Sequence, residues 1–108
     1  MTNALFICGK ARMRSPTAAD LAANWPGIAT DFAGLSNDAD EKLTAEHIAW
    51  ADVIFVMDSR QAKRLTQLFG PWLRTKRVVT LHIPDVYAYG DPALIAKLEP
   101  KLRTALRQ

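Results

Sequence analysis

The segment LFICGKARMRSP, residues 5–16, places the only cysteine of the chain at the end of an apolar run. Arg14 follows Cys8 six positions later, and Ser15 and Pro16 come directly after it. The apolar run predicts a buried strand, and the Ser-Pro pair predicts a helix that begins with Ser15 as its N-cap. The segment therefore predicts a strand, a short loop and a helix N-terminus in direct succession.

Further apolar runs predict the remaining strands of a sheet. Residues 4–8, 53–57 and 78–83 are apolar without alternation, which is typical of strands buried on both faces of a parallel sheet. Residues 29–35 are mixed in polarity and suit an edge strand. Helical patterns separate these runs, at residues 15–25, 44–51, 59–69 and 91–106. Alternating strands and helices predict an α/β fold, with a parallel sheet between two helical layers.

Capping residues and prolines set the expected helix boundaries. Thr44 and Asp91 are predicted N-caps, and Pro92 suits the first helical position after Asp91. Pro100 lies inside the last helical pattern and is expected to break or kink that helix, since proline has no backbone donor.

The composition is that of one ordinary globular domain. At 108 residues, with 49% hydrophobic and 23% charged residues, residues 1–108 are expected to form a single domain. No apolar run approaches the ~18 residues of a membrane span, and the N-terminus lacks a signal-peptide pattern. We therefore expect a cytoplasmic protein without membrane contact.

The distribution of charge is uneven along the chain. Residues 20–58 contain eight acids and one base, whereas residues 60–77 contain six bases and no acid. A basic segment can attract nucleic acid, but no helix-turn-helix, zinc-finger or base-stacking pattern accompanies it. We expect these bases to lie on a solvated helix and its exit loop, with no nucleic-acid partner.

The surroundings of Cys8 favour a reactive thiol over a small buried hydrophobe. The loop after Cys8 leads into a helix N-terminus, whose backbone donors and dipole stabilise an anion such as a thiolate or a phosphate. Arg14, with Lys10 and Arg12 nearby, adds positive charge, and its planar guanidinium can bind two phosphate oxygens. A single cysteine excludes an internal disulfide, and no metal site or other cofactor is expected.

Polar side chains also follow the other predicted strands. Ser36, Asp58 and Asp85 come after the second, third and fourth strands, as Cys8 comes after the first. Because ligands of open α/β sheets bind outside the carboxyl ends of the strands, these side chains are expected to converge on one site.

Residues 8–16, CGKARMRSP, resemble the Cys-x5-Arg-Ser loop of the low-molecular-weight protein tyrosine phosphatases. DFAGLS, ADVIFVMDSRQAKRL and IPDVYAYGD, which begin at residues 31, 51 and 83, are similar to further segments of that family in the same order. The match spans residues 4–98 and is closest to a compact bacterial branch of predicted tyrosine phosphatases. The resemblance implies a flavodoxin-like sheet of the phosphotyrosine phosphatase I type, with strand order 2-1-3-4.

The resemblance also implies roles for individual residues. Cys8 matches the nucleophile that takes the phosphoryl group. Arg14 matches the arginine that binds the phosphate, and Ser15 matches the serine that stabilises the thiolate. Asp85 matches the general acid. The loop around the phosphate would consist of Gly9, Lys10, Ala11, Arg12, Met13 and Arg14.

Between residues 85 and 92, the identity of the general acid and the role of the two tyrosines stay open. Asp91-Pro92 has the same two residues as the Asp-Pro pair of many family members. Asp85 nevertheless aligns better with the family's general acid when positions are counted back from the last helix. Asp91 is also a predicted N-cap, and a capping carboxylate held ionised by backbone donors is a poor acid. Tyr87 and Tyr89 could line the pocket and stack on an aryl substrate, or could be half-exposed loop aromatics.

The chain departs from the family at several positions. Ala11 replaces an asparagine that braces the loop, which should loosen it, and Met13 replaces a second, protective cysteine. His47 and His82 match no motif; His47 is expected on a helix surface and His82 as a hydrogen-bonded core residue within the fourth strand.

The sequence favours a cysteine-dependent phosphomonoesterase that acts on phosphotyrosine proteins or small aryl phosphates and releases inorganic phosphate. The alternatives are a non-catalytic phosphate- or phosphoprotein-binding module, which Ala11 keeps open, and a thiol-dependent arsenate reductase. An arsenate reductase with an internal cysteine relay would need further thiols, which this chain lacks.

Overall fold

Four parallel strands form the centre of the computed structural model, which describes residues 1–108. The strands are β1 (Thr2–Cys8), β2 (Ile28–Gly34), β3 (Val53–Val56) and β4 (Arg77–Thr80). Their order in the sheet is β2-β1-β3-β4, so β2 is an edge strand, as its mixed polarity predicts. This arrangement confirms the predicted α/β class and the strand order 2-1-3-4.

Four α-helices cover the sheet. They are α1 (Arg14–Ala23), α2 (Ala45–Trp50), α3 (Ser59–Phe69) and α4 (Pro92–Leu106), and a 3-10 turn over Gly70–Leu73 follows α3. None of these helices combines the length and the apolar character that crossing a membrane requires.

Alternation along β1 divides the core between the two faces of the sheet. Phe6 and Cys8 pack with α1 and α4, whereas Leu5 and Ile7 pack with α2 and α3, because successive strand residues point to opposite faces. The rings of Phe6 and Phe55 stack at 5.0 Å between centroids on the α1–α4 face. Cys8 therefore ends β1 on the side of the sheet where α1 begins.

The N-cap predictions hold for two helices and fail for α1. Thr44 and Asp91 cap α2 and α4 through their side chains. At α1 the N-cap is Met13, with no side-chain hydrogen bond, and the helix begins at Arg14. Ser15 is thus inside the first turn, where its hydroxyl is free to make a different contact.

The predicted strand 78–83 is a strand for only half of its length. β4 ends at Thr80, although the amides of Leu81 and Ile83 still donate to Val56 and Met57 at 2.9 and 2.8 Å. Between them His82 has a φ of 55° and an exposed side chain, so the prediction of a buried, hydrogen-bonded histidine is wrong. The left-handed turn at His82 rotates its side chain away from the core.

Candidate active site

Cys8 and Ser15 meet where β1 ends and α1 begins. The Cys8 Sγ and the Ser15 Oγ are 3.0 Å apart, and the two side chains are 4% and 0% exposed. Ser15 reaches the sulfur because it is the second residue of α1 rather than its cap. The N-terminus of α1 thereby brings a hydroxyl group to the thiol, in addition to the field of its backbone dipoles.

The loop from Gly9 to Met13 lies against the segment that follows β2. The carbonyls of Cys8, Gly9 and Lys10 accept hydrogen bonds from the amides of Leu35, Ser36 and Asp40, at 3.0, 2.9 and 3.0 Å. These backbone bonds fix the path of the loop without using its side chains.

Gly34 allows the loop to approach β2. A Cβ at Gly34 would lie 2.6 Å from the Gly9 carbonyl oxygen, 2.6 Å from the Ala39 Cβ and 3.0 Å from the Ala11 amide nitrogen. These distances are too short for a methyl group, so any other residue here would displace the loop and the segment around Ala39. Glycine is required by close backbone approach rather than by its own dihedral angles.

Ala11 has an unfavourable backbone conformation within this loop. Its φ is 61°, in the left-handed region that glycine and asparagine tolerate best, and its side chain is 3% exposed. The resemblance places asparagine at this position, a residue that tolerates the left-handed region better than alanine does.

Lys10 and Arg12 do not point their charge at the thiol, contrary to expectation. Lys10 forms an ion pair with Asp38 at 3.1 Å, and Arg12 forms one with Asp40 at 3.0 Å. A hydrogen bond from Ser36, together with Lys10, lowers the pKa of Asp38 to about 2. The two cations therefore fasten the loop to the neighbouring acidic segment.

Arg14 is the buried cation of the site, at 5% exposure. Its Nη1 donates to the Ile83 carbonyl at 2.7 Å and lies 3.5 Å from Asp58, while its Nε lies 3.7 Å from Asp85. Asp58 also caps α3, accepting from the Gln61 amide at 2.9 Å. The guanidinium is thus held by residues that follow β3 and β4, as the predicted convergence requires.

Asp85 and Asp91 differ in their surroundings. The Asp85 side chain is 74% exposed beside Arg14 and lines the cavity described below. Asp91 lies at the N-terminus of α4, where its side chain accepts from the Ala93 amide at 2.9 Å, and it does not line that cavity. Asp85, and not Asp91, therefore lines the cavity that Cys8 also lines.

The two tyrosines do not line the site. Tyr87 packs against the core cluster on the α1–α4 face, and the Tyr89 hydroxyl binds Asp20 on α1. Neither ring is among the residues lining the cavity. The prediction that Tyr87 walls the pocket is therefore not supported by its position, because the turn at Gly90 folds the loop back over α1.

A cavity of about 410 Å³ opens above Cys8. It is lined by Cys8, Gly9, Lys10, Arg12, Met13, Arg14, Ser36 and Asp85. Ala11, at 3% exposure, is not among these lining residues. No group of three or more His, Cys, Asp or Glu side chains is placed to hold a metal ion.

Solved structures match this chain over nearly its whole length. An arginine phosphatase, YwlE from Geobacillus stearothermophilus, is 23% identical with a TM-score of 0.70, over 99% of this chain and 96% of that one. The low-molecular-weight protein tyrosine phosphatase SP-PTP from Streptococcus pyogenes is 14% identical with a TM-score of 0.76, over 96% and 93%. The tyrosine phosphatase AmsI from Erwinia amylovora is 22% identical with a TM-score of 0.76, over 98% and 91%.

The chain has the fold of the low-molecular-weight protein tyrosine phosphatases. This finding confirms the fold that the resemblance implies. No family model matches the sequence, and no curated protein matches it.

Within this phosphatase fold, some site residues were not predicted from the sequence. Asp38 and Asp40 hold Lys10 and Arg12, and Gln61 accepts from the Met57 amide at 2.8 Å at the end of β3. The acidic residues that alternate along the chain after Ser36 could have indicated Asp38 and Asp40 as partners of the loop. The sequence around Gln61 does not predict its contact with Met57, because that contact depends on how α3 packs back against the end of β3.

Proposed function

We propose that the protein is a phosphomonoesterase that hydrolyses phosphotyrosine or aryl phosphates through a cysteinyl-phosphate intermediate. The observation that carries this proposal is the 3.0 Å contact between Cys8 Sγ and Ser15 Oγ, in a cavity that Arg14 and Asp85 also line. A nucleophile, a hydroxyl donor, an anion-binding cation and a carboxylic acid are the groups that this reaction needs.

In the first step, the Cys8 thiolate attacks the phosphorus of the substrate. A sulfur–phosphorus bond forms, the bond from phosphorus to the phenolic oxygen breaks, and Asp85 donates its proton to the departing oxygen. Arg14 binds two of the three equatorial oxygens, and loop amides between Gly9 and Met13 bind the third and share the other two, so that developing charge is stabilised.

In the second step, water attacks the phosphorus of the intermediate. Asp85, now a carboxylate, accepts a proton from that water, the sulfur–phosphorus bond breaks, and inorganic phosphate is released. The Ser15 hydroxyl donates to the sulfur as it becomes a thiolate again. One matching structure, of an arginine phosphatase mutant, carries a phosphorylated serine in its active site, which supports a covalent route in a protein with this fold.

Hydrolysis of p-nitrophenyl phosphate tests the proposal. We expect Cys8→Ser to abolish turnover, and Asp85→Asn to lower kcat by about 10²–10⁴, the usual contribution of a general acid. Asp91→Asn is the matched control: asparagine also caps helices, so turnover should stay at the wild-type rate. A larger loss in Asp91→Asn than in Asp85→Asn would overturn the assignment of the acid.

Phosphate binding and arsenate reduction, measured alongside this hydrolysis, separate the alternative functions. A protein that binds phosphate but releases none from any substrate would be a binding module. Glutathione-dependent reduction of arsenate without phosphatase activity would identify an arsenate reductase.

A phosphoarginine protein is the second candidate substrate. No aromatic side chain lines the cavity, so an aryl ring has no stacking partner there, whereas Asp85 could pair with a guanidinium group. Two of the matching structures are arginine phosphatases, from Geobacillus stearothermophilus and from Drosophila. Comparing kcat/KM on phosphotyrosyl and phosphoarginyl versions of one peptide decides between the two substrates.

A further inference from the structure

A second cavity, of about 540 Å³, adjoins the one above Cys8. The two cavities share Arg14, Asp85 and two further lining residues, so they are parts of one continuous depression. The far side of the second cavity is formed by α3, which contributes Arg60 and Arg64. A ligand held above Cys8 would therefore extend toward these two arginines.

Arg60 and Arg64 differ from the other cations around the site because they have no partner. Lys10, Arg12 and Arg14 each form an ion pair with an aspartate. Farther along the basic segment, Lys76 and Arg77 donate to backbone carbonyls. Neither Arg60 nor Arg64 makes an ion pair or a side-chain hydrogen bond, and both are exposed.

The spacing of the two arginines lets them act on one ligand group. Residues four positions apart lie on the same face of a helix, so both guanidinium groups border the same cavity. Paired guanidinium groups suit a carboxylate, which they can bind through two parallel hydrogen bonds each. An extended peptide advances about 3.3–3.6 Å per residue, so a residue next to the phosphorylated one can reach the adjoining cavity.

We propose that Arg60 and Arg64 form a subsite for an acidic side chain that flanks the phosphorylated residue of a protein substrate. This inference rests on the proposed phosphatase function and adds a substrate class to it: phosphoproteins with Asp or Glu next to the phosphorylated position.

Two phosphotyrosyl peptides test the subsite, one with glutamate on both sides of the phosphotyrosine and one with glutamine there. The wild-type protein should favour the acidic peptide about tenfold in kcat/KM, mainly through KM, as two solvent-exposed charge contacts would give. The preference should shrink at 0.5 M salt, because exposed charges are screened. In the Arg60→Gln/Arg64→Gln variant, kcat/KM for the acidic peptide should fall to that for the neutral peptide, and Arg60→Lys/Arg64→Lys should keep part of the preference.

Lys63→Gln/Arg74→Gln is the matched control. It also removes two exposed cations from the same basic segment, but neither residue lines the cavity. This variant should prefer the acidic peptide as strongly as the wild type does. A preference that survives in the Arg60/Arg64 variant, or disappears equally in the control, would overturn the subsite.

Binding of the same peptides to the Cys8→Ser variant, with and without the arginine substitutions, separates this inference from the proposed function. Tighter binding of the acidic peptide that depends on Arg60 and Arg64 supports the subsite even if no peptide is hydrolysed, a result that would overturn phosphatase activity. Equal binding and equal kcat/KM for the two peptides would overturn the subsite and leave the phosphatase function standing.

Discussion

Single residues in the loop after β1 decide whether the site can form. Ala11 has a φ of 61°, a conformation that costs an L-residue with a Cβ roughly 1–2 kcal/mol relative to the right-handed region. The loop keeps this conformation because the contacts of its neighbours with the segment after β2 determine it. Backbone strain of this kind is often found at functional sites, where the surrounding contacts hold it in place.

Ala11→Gly should make the protein more stable, by roughly 0.5–1 kcal/mol in the free energy of unfolding. Glycine removes the strain at positive φ, and the lost contacts of one buried methyl group offset part of the gain. Urea denaturation measures the change. Ala96→Gly, the same substitution at an exposed position inside α4, should destabilise by about 1 kcal/mol, since helical backbone disfavours glycine. Equal destabilisation by both substitutions would show that Ala11 is not strained.

Asp38 should titrate well below an ordinary aspartate. Its pKa is lowered from 3.8 to about 2 by the hydrogen bond from Ser36 and then by Lys10. Because the folded pKa is below the unfolded one, the contribution of this carboxylate to stability is complete above pH 3.8 and is lost as pH falls through about 2. An NMR titration of the Asp38 carboxyl carbon should show this midpoint.

Substitutions of the partners of Asp38 test the two causes separately. Ser36→Ala and Lys10→Met should each raise the midpoint, because Ser36 and Lys10 both lower the pKa of Asp38. Lys42→Met is the control, because Lys42 binds Asn37 in the same segment and not Asp38. A midpoint near 3.8 in the wild type would rule out the tether between Lys10 and Asp38.

At the scale of elements, the end of β2 and the loop after β1 form one unit. Gly34→Ala should displace the loop, because the new methyl group would lie 2.6 Å from the Gly9 carbonyl oxygen. We expect a loss of about 1–3 kcal/mol in stability, typical of overpacking, together with weaker phosphate binding measured by calorimetry. Gly70→Ala, where a Cβ meets nothing within 4 Å, should change neither quantity. Wild-type phosphate affinity in Gly34→Ala would show that the loop does not depend on this contact.

Helix α4 continues through Pro100, so of the predicted break or kink the break is wrong. The helix survives because four leucines on one face, Leu94, Leu98, Leu102 and Leu106, are buried against the sheet. Packing of this face outweighs the missing hydrogen bond, so tertiary contacts override a local preference.

Pro100→Ala should therefore stabilise the protein, by about 1–3 kcal/mol, because alanine restores a backbone donor inside the helix. Pro92→Ala is the control at the first position of the same helix, where proline is favourable, and it should be neutral or slightly destabilising. Thermal denaturation of both variants measures the difference. A lower melting temperature for Pro100→Ala would show that the ring makes packing contacts that matter more than the hydrogen bond.

At the scale of the whole molecule, one sheet separates two cores of unequal size. The cluster on the α1–α4 face contains 17 buried residues, and the cluster on the α2–α3 face contains nine. Cys8 belongs to the larger cluster, so the thiol is held by the part of the molecule with the most extensive packing. Arg14, by contrast, is held by residues that follow β3 and β4.

Leu98→Ala should destabilise the molecule by about 2–5 kcal/mol, since Leu98 is fully buried in the larger cluster and the substitution leaves a cavity. Leu68→Ala, at a leucine that is 41% exposed, should cost less than about 1 kcal/mol. Urea denaturation of the two variants gives the comparison. Similar losses for both would contradict the division of the core described above.

The amino-acid sequence by itself determined the α/β class, the strand positions and the parallel pairing. These follow from apolar runs, capping residues and the alternation of strand and helix, which are local signals. It also placed Cys8, Ser36, Asp58 and Asp85 at one edge of the sheet, because each lies at or after the carboxyl end of a parallel strand.

Only the tertiary structure decided which partner each of these groups meets. Ser15 contacts the thiol instead of capping α1, and Asp38 and Asp40 hold the cations that were expected to face the sulfur. Tyr87 turns to the core, and Arg60 and Arg64 border the cavity without a partner. The physical reason is that packing sets the distances and directions between groups that are far apart in sequence. Those distances decide which partner a side chain meets, and local sequence patterns do not contain them.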